Sequence, residues 1–451
     1  MKPVWSFIVF WGVLEGVFLN GILQVNDKQH LEIGGCDTVE LAAEFGTPLY
    51  VMDEGLIRAN CRRYRQALQR YYRRGGKVIY AGKAFLTLAM AKLVQEEELG
   101  LDVVSGGELY LALKAGFPAG DLYFHGNNKT GEELQEALRA GVGRIVIDSL
   151  PELEELLGLI RSVQPQEHKT AVLLRVKPGV EARTHDYIQT GQDDSKFGLS
   201  FAEAKEAVRR VLAAAPFLEL KGFHCHIGSQ IFEISSFGLA AQSMLRFMAD
   251  VRAETGYVAG ELDMGGGLGI RYQPEDKPPS IETFVQEVAG AVEKAAGKEN
   301  YPLPELLLEP GRSIVGEAGL TLYRIGVIKN IPGIRRYCAV DGGMMDNIRP
   351  ALYQALYTAV LANKAGQDPV EKVTIAGKAC ESGDLLIEDI YLPAVEKGDI
   401  LATLSTGAYC YALANNYNCH PRPAVLFVRN GERRLVVRRE TNADLVALQE
   451  S

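Results

Sequence analysis

The chain has 451 residues, 47% hydrophobic and 23% charged, which is enough for two domains with buried cores. Its formal net charge is −9, with acidic and basic residues interspersed, and this excludes the basic patch of a protein that binds nucleic acid or an anionic membrane. Seven cysteines are scattered without a Cys-x-x-Cys pair, which favours a reducing, cytoplasmic compartment over a disulfide framework or a zinc knuckle. The expected partner is a small molecule.

Residues 1–20 form an atypical apolar extension. Residues 4–19 follow Lys2 as the hydrophobic part of a secretory signal would, but Glu15 interrupts the run and no Ala-x-Ala-like site follows before Asn20. The run is also too short to cross a bilayer. A disordered or wrongly started extension is the favoured interpretation, and a secretory signal is the alternative.

From residue 48 onward, apolar runs rich in Val, Ile and Leu alternate with helical patterns, as in repeated βα units. A lead-in strand is predicted over residues 48–52. Further strands are predicted to start near Val78, Leu101, Asp121, Arg144, Ala171, Leu220, Glu261 and Leu306. Three helix starts carry capping-box pairs: Ser105 with Glu108, Thr130 with Glu133, and Ser200 with Glu203. The pattern predicts an α/β fold, a closed (β/α)8 TIM-type barrel over residues 48–308.

Past residue 308 the pattern changes to strands without long helices, which predicts a second, β-rich domain, sandwich-like or barrel-like, over residues 309–451. Its strands are expected near residues 321–327, 337–340, 373–376, 400–404 and 424–428. Asn430-Gly431 predicts a hairpin, because both central residues of a type I′ turn need a positive φ. Residues 21–47 are expected to join this domain.

Polar residues follow the predicted barrel strands, where such barrels hold their chemistry. They are Lys83, Asp102, His125, Asn127, Asp148, His224, His226, the glycines 265–267 and Glu309. An amine and a carboxylate at strand ends suit pyridoxal phosphate, which needs an amine to hold its aldehyde and an anion to keep its ring nitrogen protonated. The alternatives are a solvated lysine at position 83 and a Glu309 that caps a helix or pairs with Arg312.

Two further barrel motifs fit this cofactor. His224 and His226 lie two residues apart on one face of a strand, but no third histidine or cysteine completes a credible zinc set, so no metal is expected. Stacking on a flat ring is the favoured use of His226, and a core histidine is the alternative for both. The glycines 265–267 can present backbone N–H groups to a phosphate, although any tight turn can use glycines.

The β-rich part adds Cys380 beside Glu381, in a glycine-flanked turn, and Arg349 before a proline. Cys380 is interpreted as a proton donor or reactive thiol, with a buried apolar cysteine as the alternative. Arg349 offers a rigid fork suited to a carboxylate, with a surface cation as the alternative.

With YAGKAF, HCHIGSQ, GGG, EPGR, CESGD and TGAY in this order, the chain resembles the meso-diaminopimelate decarboxylases, within the alanine racemase-like, fold type III pyridoxal enzymes. The resemblance runs from about His30 to the C-terminus. It implies a carboxy-lyase that makes L-lysine and CO2 in the last step of the bacterial lysine route. It also implies a homodimer with shared active sites that brings Cys380 and Glu381 in from the neighbouring subunit.

The resemblance implies roles residue by residue. Lys83 would bind the aldehyde of pyridoxal 5'-phosphate, and Cys380 would donate the proton that replaces the lost carboxylate. The cofactor would be bound by Lys83, Asp102, His226, Ser229, Gly266, Gly267, Glu309, Gly311, Arg312 and Tyr409. The substrate would be bound by Arg312, Arg349, Tyr353, Glu381 and Tyr409.

Two alternatives stay open. Relatives that decarboxylate ornithine, arginine or carboxynorspermidine share the barrel, and the diamine-forming ones carry Cys-Asp where this chain has Cys380-Glu381. A catalytically inactive regulatory homologue is the alternative from another class, against which the retention of Lys83 and Cys380 speaks.

Overall fold

The computed structural model describes residues 23–162, 169–180 and 195–450. The predicted apolar extension, residues 1–20, lies outside them. Among the described residues, no helix combines the length and the apolar character that a membrane crossing requires.

The N-terminal elements are β1 (Leu23–Val25), β2 (Leu31–Ile33), β3 (Cys36–Asp37), α1 (Thr38–Phe45), β4 (Leu49–Asp53) and α2 (Glu54–Tyr71). Strands β1 to β3 form a small antiparallel sheet. Helix α1 begins where the side chain of Asp37 accepts hydrogen bonds from the N–H groups of Val39 and Glu40, which satisfies two donors of the first turn.

The next eight strands are β5 (Gly76–Ala81), β6 (Gly100–Val103), β7 (Leu122–Phe124), β8 (Arg144–Ile147), β9 (Thr170–Arg175), β10 (Leu218–His224), β11 (Glu261–Asp263) and β12 (Glu305–Leu308). They pair in parallel and close into a barrel, which confirms the predicted fold. Asp121 directly precedes β7, and the other predicted starts lie inside their strands. A buried cluster fills the interior: Ile79, Tyr123, Val146, Leu173 and Leu307.

The helices between these strands are α3 (Leu88–Glu96), α4 (Gly106–Lys114), α5 (Gly131–Ala140), α6 (Leu150–Ser162), α7 (Phe201–Ala213), α8 (Ser235–Thr255) and α9 (Ile281–Lys298). The capping boxes predicted for α5 and α7 are both complete. At α4 only half of the box forms. Ser105 accepts from the N–H of Glu108, but the Glu108 carboxylate accepts from the N–H of Val104, 2.8 Å away, instead of that of Ser105.

The C-terminal strands are β13 (Gly319–Ile331), β14 (Arg335–Val340), β15 (Ala359–Leu361), β16 (Glu371–Ala376), β17 (Leu385–Leu392), β18 (Ile400–Thr403), β19 (Ala424–Arg429) and β20 (Glu432–Val437). Short helices are α10 (Arg312–Val315), α11 (Arg349–Tyr353) and α12 (Asn442–Val446). The β19–β20 hairpin forms as predicted, with φ of +52° at Asn430 and +80° at Gly431.

The β-rich unit contains the described residues up to Ala59, the segment Ile270–Lys277 and the described residues from Ile314 onward. The barrel unit contains Asn60–Gly269 and Pro278–Ser313. Strand β4, predicted to lead into the barrel domain, belongs instead to the β-rich sheet, where it pairs with β13 and β19. The observed divisions, after Ala59 and before Ile314, thus differ from the expected boundaries at residues 48 and 309.

Candidate active site

Lys83 lies on a 3-10 turn, Gly82–Ala84, that follows β5 directly. Its neighbours Gly82 and Ala84 are buried, whereas Lys83 is exposed. A Cβ atom on Gly82 would lie 2.7 Å from the carbonyl oxygen of Asp102, so glycine is needed for the turn to approach β6 this closely. The amine therefore belongs to the carboxyl end of β5, where the strand pattern predicted it.

Asp102 is a buried carboxyl group in β6. The residue is 2% exposed, and its Oδ1 atom has no hydrogen-bond partner among the described residues. Burial raises the pKa of Asp102, while the positive charges of His125 and Lys83 oppose that rise. Asp102 and Lys83 therefore interact electrostatically, as two groups of one site would.

Glu309 directly follows β12 and is held by two histidines. The Nε2 atom of His224 lies 3.0 Å from Oε2 of Glu309, and Nε2 of His125 lies 2.6 Å from Oε1. The His125 contact is close but poorly aligned, so Oε1 has no well-directed hydrogen bond from the described residues. Burial alone would raise the pKa of Glu309, but the two histidines outweigh it and hold that pKa well below its usual range. Each carboxylate oxygen can accept two hydrogen bonds, so Glu309 is a buried, ionised carboxylate that can accept from a further donor.

The same three side chains could be read as a metal site, because their ligand atoms lie within 4.8 Å of one another. The distances favour direct pairing. Two atoms that both bind one zinc ion at about 2.0–2.2 Å lie roughly 3.3 Å or more apart in tetrahedral geometry. At 2.6 and 3.0 Å, the two histidines contact the carboxylate itself.

The glycines at 265–267 follow β11 and allow a very close backbone approach. A Cβ atom on Gly266 would lie 2.1 Å from the carbonyl oxygen of Glu309, and Gly267 has a φ of +126°. The N–H of Gly266 donates to Nδ1 of His226 at 3.3 Å. Because these glycines have no side chains, their backbone lies directly beside His226 and Glu309.

His226 follows β10 and is half-buried. Burial lowers its pKa well below the ordinary value, and the nearby positive charges of Lys83 and Arg175 lower it further. The ring is therefore neutral, as stacking against a positively charged ring would require.

Arg312 begins α10 and is buried. Its Nη2 and Nε atoms donate to Oγ of Ser229, at 2.9 and 3.3 Å. A Cβ atom on the preceding Gly311 would lie 3.0 Å from the Cβ atoms of Ala81 and Ala84, so the chain passes tightly beside the Lys83 turn. The barrel unit thus brings together every predicted cofactor residue except Tyr409, which lies in the β-rich unit.

In the β-rich unit, Arg349 is 7% exposed and begins α11. Its Nη1 atom donates to the hydroxyl of Tyr272 at 3.0 Å and to that of Tyr357. Its guanidinium carbon lies 5.0, 5.6 and 6.0 Å from the ring centres of Tyr272, Tyr357 and Tyr409. No carboxylate is among these partners, so Arg349 is a buried cation without a counter-ion among the residues that the structure describes.

The other predicted residues of this unit are more accessible. Tyr353 ends α11 and is half-buried, as is Tyr409. Cys380 and Glu381 are exposed, which makes the apolar-core interpretation of Cys380 wrong. The N–H of Cys380 donates to Oδ1 of Asn418 at 2.8 Å.

Sequence reasoning missed two charged barrel residues, Arg175 and Asp263. They end β9 and β11, so the rule that found the other residues applies to them as well. Asp263 is fully buried, and its Oδ1 accepts from the N–H of Gly265 at 2.8 Å. Burial, and then the charge of Glu309, raises the pKa of Asp263 well above its usual range.

Comparison with known proteins agrees with this geometry. Residues 54–316 match the family model described as pyridoxal-dependent decarboxylase, pyridoxal binding domain. The diaminopimelate decarboxylase of Bacillus subtilis (strain 168) is 51% identical over 436 residues, covering 96% of this chain and 98% of that protein. A crystal structure of diaminopimelate decarboxylase from M. jannaschii in complex with L-lysine has a TM-score of 0.87 and 35% identity, covering 96% of this chain and 98% of that chain. A crystal structure of the Helicobacter pylori diaminopimelate decarboxylase in complex with L-lysine has a TM-score of 0.82 and 30% identity, covering 92% of this chain and 99% of that chain.

Proposed function

This chain belongs to the diaminopimelate decarboxylase family of pyridoxal-dependent decarboxylases, and on that premise we propose that it is a carboxy-lyase. It removes CO2 from meso-2,6-diaminopimelate and leaves L-lysine, the last step of bacterial lysine biosynthesis. The observation that carries this proposal is Glu309, buried and ionised at the end of a barrel strand with Oε1 lacking an aligned donor.

The barrel residues fit pyridoxal phosphate on two observations. Oε1 of Glu309 is a buried acceptor suited to a protonated ring nitrogen. A Cβ atom on Gly266 or Gly267 would lie 2.1 or 2.5 Å from a neighbouring carbonyl oxygen, so this turn carries only bare backbone, as a phosphate cradle does. When bound, the cofactor supplies an electron sink for the electron pair left at the substrate α-carbon. Lys83 would hold the aldehyde end, His226 would stack on the ring, and Glu309 would keep the ring nitrogen protonated. The remaining cofactor contacts are assigned to Asp102, Ser229, Gly266, Gly267, Gly311, Arg312 and Tyr409.

The far end of diaminopimelate is an amino acid, so its site must pair one more carboxylate and one more ammonium than a monoamino acid needs. Arg349 supports this specificity. It is a buried cation with no counter-ion in the described part of the chain, and such a charge is unfavourable unless an anion joins it. The exposed carboxylate of Glu381 is assigned to the distal ammonium. Arg312, Tyr353 and Tyr409 complete the proposed substrate set.

A substrate panel tests the proposal. We expect CO2 release from meso-diaminopimelate to exceed release from ornithine, arginine or carboxynorspermidine by several orders of magnitude, since a site built to pair polar groups rejects analogues that lack them. The panel is measured with and without added pyridoxal phosphate. Faster release from ornithine would contradict the roles of Arg349 and Glu381. A purified protein without the yellow colour of the bound cofactor would favour the inactive homologue.

We assign Cys380 as the donor of the proton that replaces CO2. Its exposed position supports this role, because a thiol must be accessible to reach a substrate. We expect Cys380→Ala to lower kcat on the order of 10²- to 10⁴-fold with the cofactor still bound, the range typical of a lost general acid. Cys419→Ala is the matched control, since Cys419 is also exposed and lies beside Asn418. An unchanged kcat in Cys380→Ala would contradict the assignment.

We also propose that the enzyme is a homodimer with shared sites, in which Cys380 and Glu381 act on the partner's cofactor. Mixing inactive Lys83→Ala and Cys380→Ala subunits would then restore activity, because one of the two sites in a mixed dimer has both residues intact. Absence of recovery after confirmed subunit exchange would indicate self-contained subunits.

Cytoplasmic location is proposed as well, and it is supported by seven free cysteines, five of them buried.

A further inference from the structure

Arg349 presents only part of its guanidinium to a ligand. Both protons of Nη1 are used, one by the hydroxyl of Tyr272 at 3.0 Å and one by the hydroxyl of Tyr357. Among the described residues, Nε and Nη2 have no hydrogen-bond partner. These two atoms form one side of the planar fork, and that side can hold a carboxylate through two parallel hydrogen bonds.

The two tyrosines are themselves fixed in place. Their rings meet edge to face, with centres 5.2 Å apart and planes at 80°. Tyr272 is 8% exposed and Tyr357 is 3% exposed, so neither ring can turn away without opening the core. Faces of both rings lie against the guanidinium and stabilise its charge.

A buried chain of hydrogen bonds runs from Tyr357 back to Arg349. The Tyr357 hydroxyl lies 3.5 Å from Sγ of Cys410, and that thiol donates to Oδ1 of Asn347 at 3.5 Å. The same Oδ1 accepts from the backbone N–H of Arg349 at 3.4 Å. Cys410 is fully buried and Asn347 is 2% exposed. The network therefore ties the hydroxyl that orients the guanidinium to the start of α11, where Arg349 lies.

We propose that Tyr357 and Tyr272 are positioning residues that fix the specificity of this enzyme by directing the Nε and Nη2 edge of Arg349 at the distal carboxylate of the substrate. The inference rests on the proposed function, because it takes that carboxylate to be the ligand of Arg349. Without the hydroxyls, Nη1 is free to turn, and the guanidinium loses its single orientation. Binding of the distal carboxylate then weakens, while the chemistry at the other end of the substrate is unaffected.

The test compares Tyr357→Phe and Tyr272→Phe holoenzymes with the parent. Each variant keeps its ring and loses one hydroxyl. We expect KM for meso-diaminopimelate and the inhibition constant of L-lysine to rise about tenfold, with kcat and the affinity for pyridoxal phosphate unchanged. Tyr323→Phe is the control, because Tyr323 is fully buried in the same unit and its hydroxyl has no described partner.

Arg349→Met separates failure of this inference from failure of the proposed function. If Arg349→Met weakens L-lysine binding and both tyrosine variants match Tyr323→Phe, the positioning role is wrong and the carboxylate site stands. If Arg349→Met leaves L-lysine binding unchanged, the assigned carboxylate site is wrong as well. A fall in kcat or cofactor affinity equal to the rise in KM would indicate a general structural defect and would overturn the inference. Should one tyrosine variant fail to fold, the other decides.

Discussion

Replacing Lys83 with alanine is expected to abolish turnover. Lys83 is exposed at the carboxyl end of β5, on a turn whose neighbours are buried, so the backbone is fixed while the amine is accessible. Its charge acts on both Asp102, in β6, and His226, which follows β10. Alanine removes the amine that would bind the cofactor's aldehyde, and the buried Lys129 is committed to Glu152 at 2.8 Å.

The measurement is CO2 release together with the mass of the protein after borohydride reduction in the presence of pyridoxal phosphate. The parent is expected to gain one pyridoxyl phosphate group on the peptide that contains Lys83, and Lys83→Ala is expected to gain none there. Lys92→Ala is the matched control, since Lys92 is also exposed and lies on the following helix α3. Sustained turnover in Lys83→Ala would refute the assignment of this amine.

The barrel was predictable because its signal is local and repeated. Each strand is a short apolar run, and every predicted start lies inside or directly before one of the strands β5 to β12. The β19–β20 hairpin was equally local, since two positive-φ positions at Asn430 and Gly431 define the turn. The rule that chemistry follows the strand ends also predicted Lys83 and Glu309 as site residues from the sequence alone.

What escaped prediction depends on long-range pairing or on broken periodicity. Strand β4 joins the β-rich sheet through β13 and β19, more than 250 residues away, and no local pattern reports such a pairing. Strand β17 was missed because Asp389 has a φ of +58° and its pairing with β16 shifts register twice, so strict alternation is lost. The histidine pair on Glu309 and the tyrosines around Arg349 likewise arise only when distant segments meet.

Glu309→Gln is expected to lower kcat on the order of 10³-fold while the cofactor stays attached through Lys83. The amide has nearly the shape of the carboxylate, so packing at the end of β12 is retained. It carries no charge, however, and cannot keep a ring nitrogen protonated. It also turns an N–H group toward His125 or His224, where the carboxylate offers only acceptors to the two Nε2 atoms.

The absorbance of the bound cofactor, the dissociation constant of the cofactor and kcat are measured for each variant. Glu305→Gln is the matched control. This substitution makes the same chemical change at the opposite end of the same strand, β12. If Glu309 acts through its charge, kcat falls in Glu309→Gln alone, and Glu309→Asp, which keeps the charge on a shorter side chain, retains more activity than the amide. Equal losses in the aspartate and glutamine variants would mean that the length of this side chain matters and its ionisation does not. That result would remove the electrostatic reason for holding a buried carboxylate between two histidines.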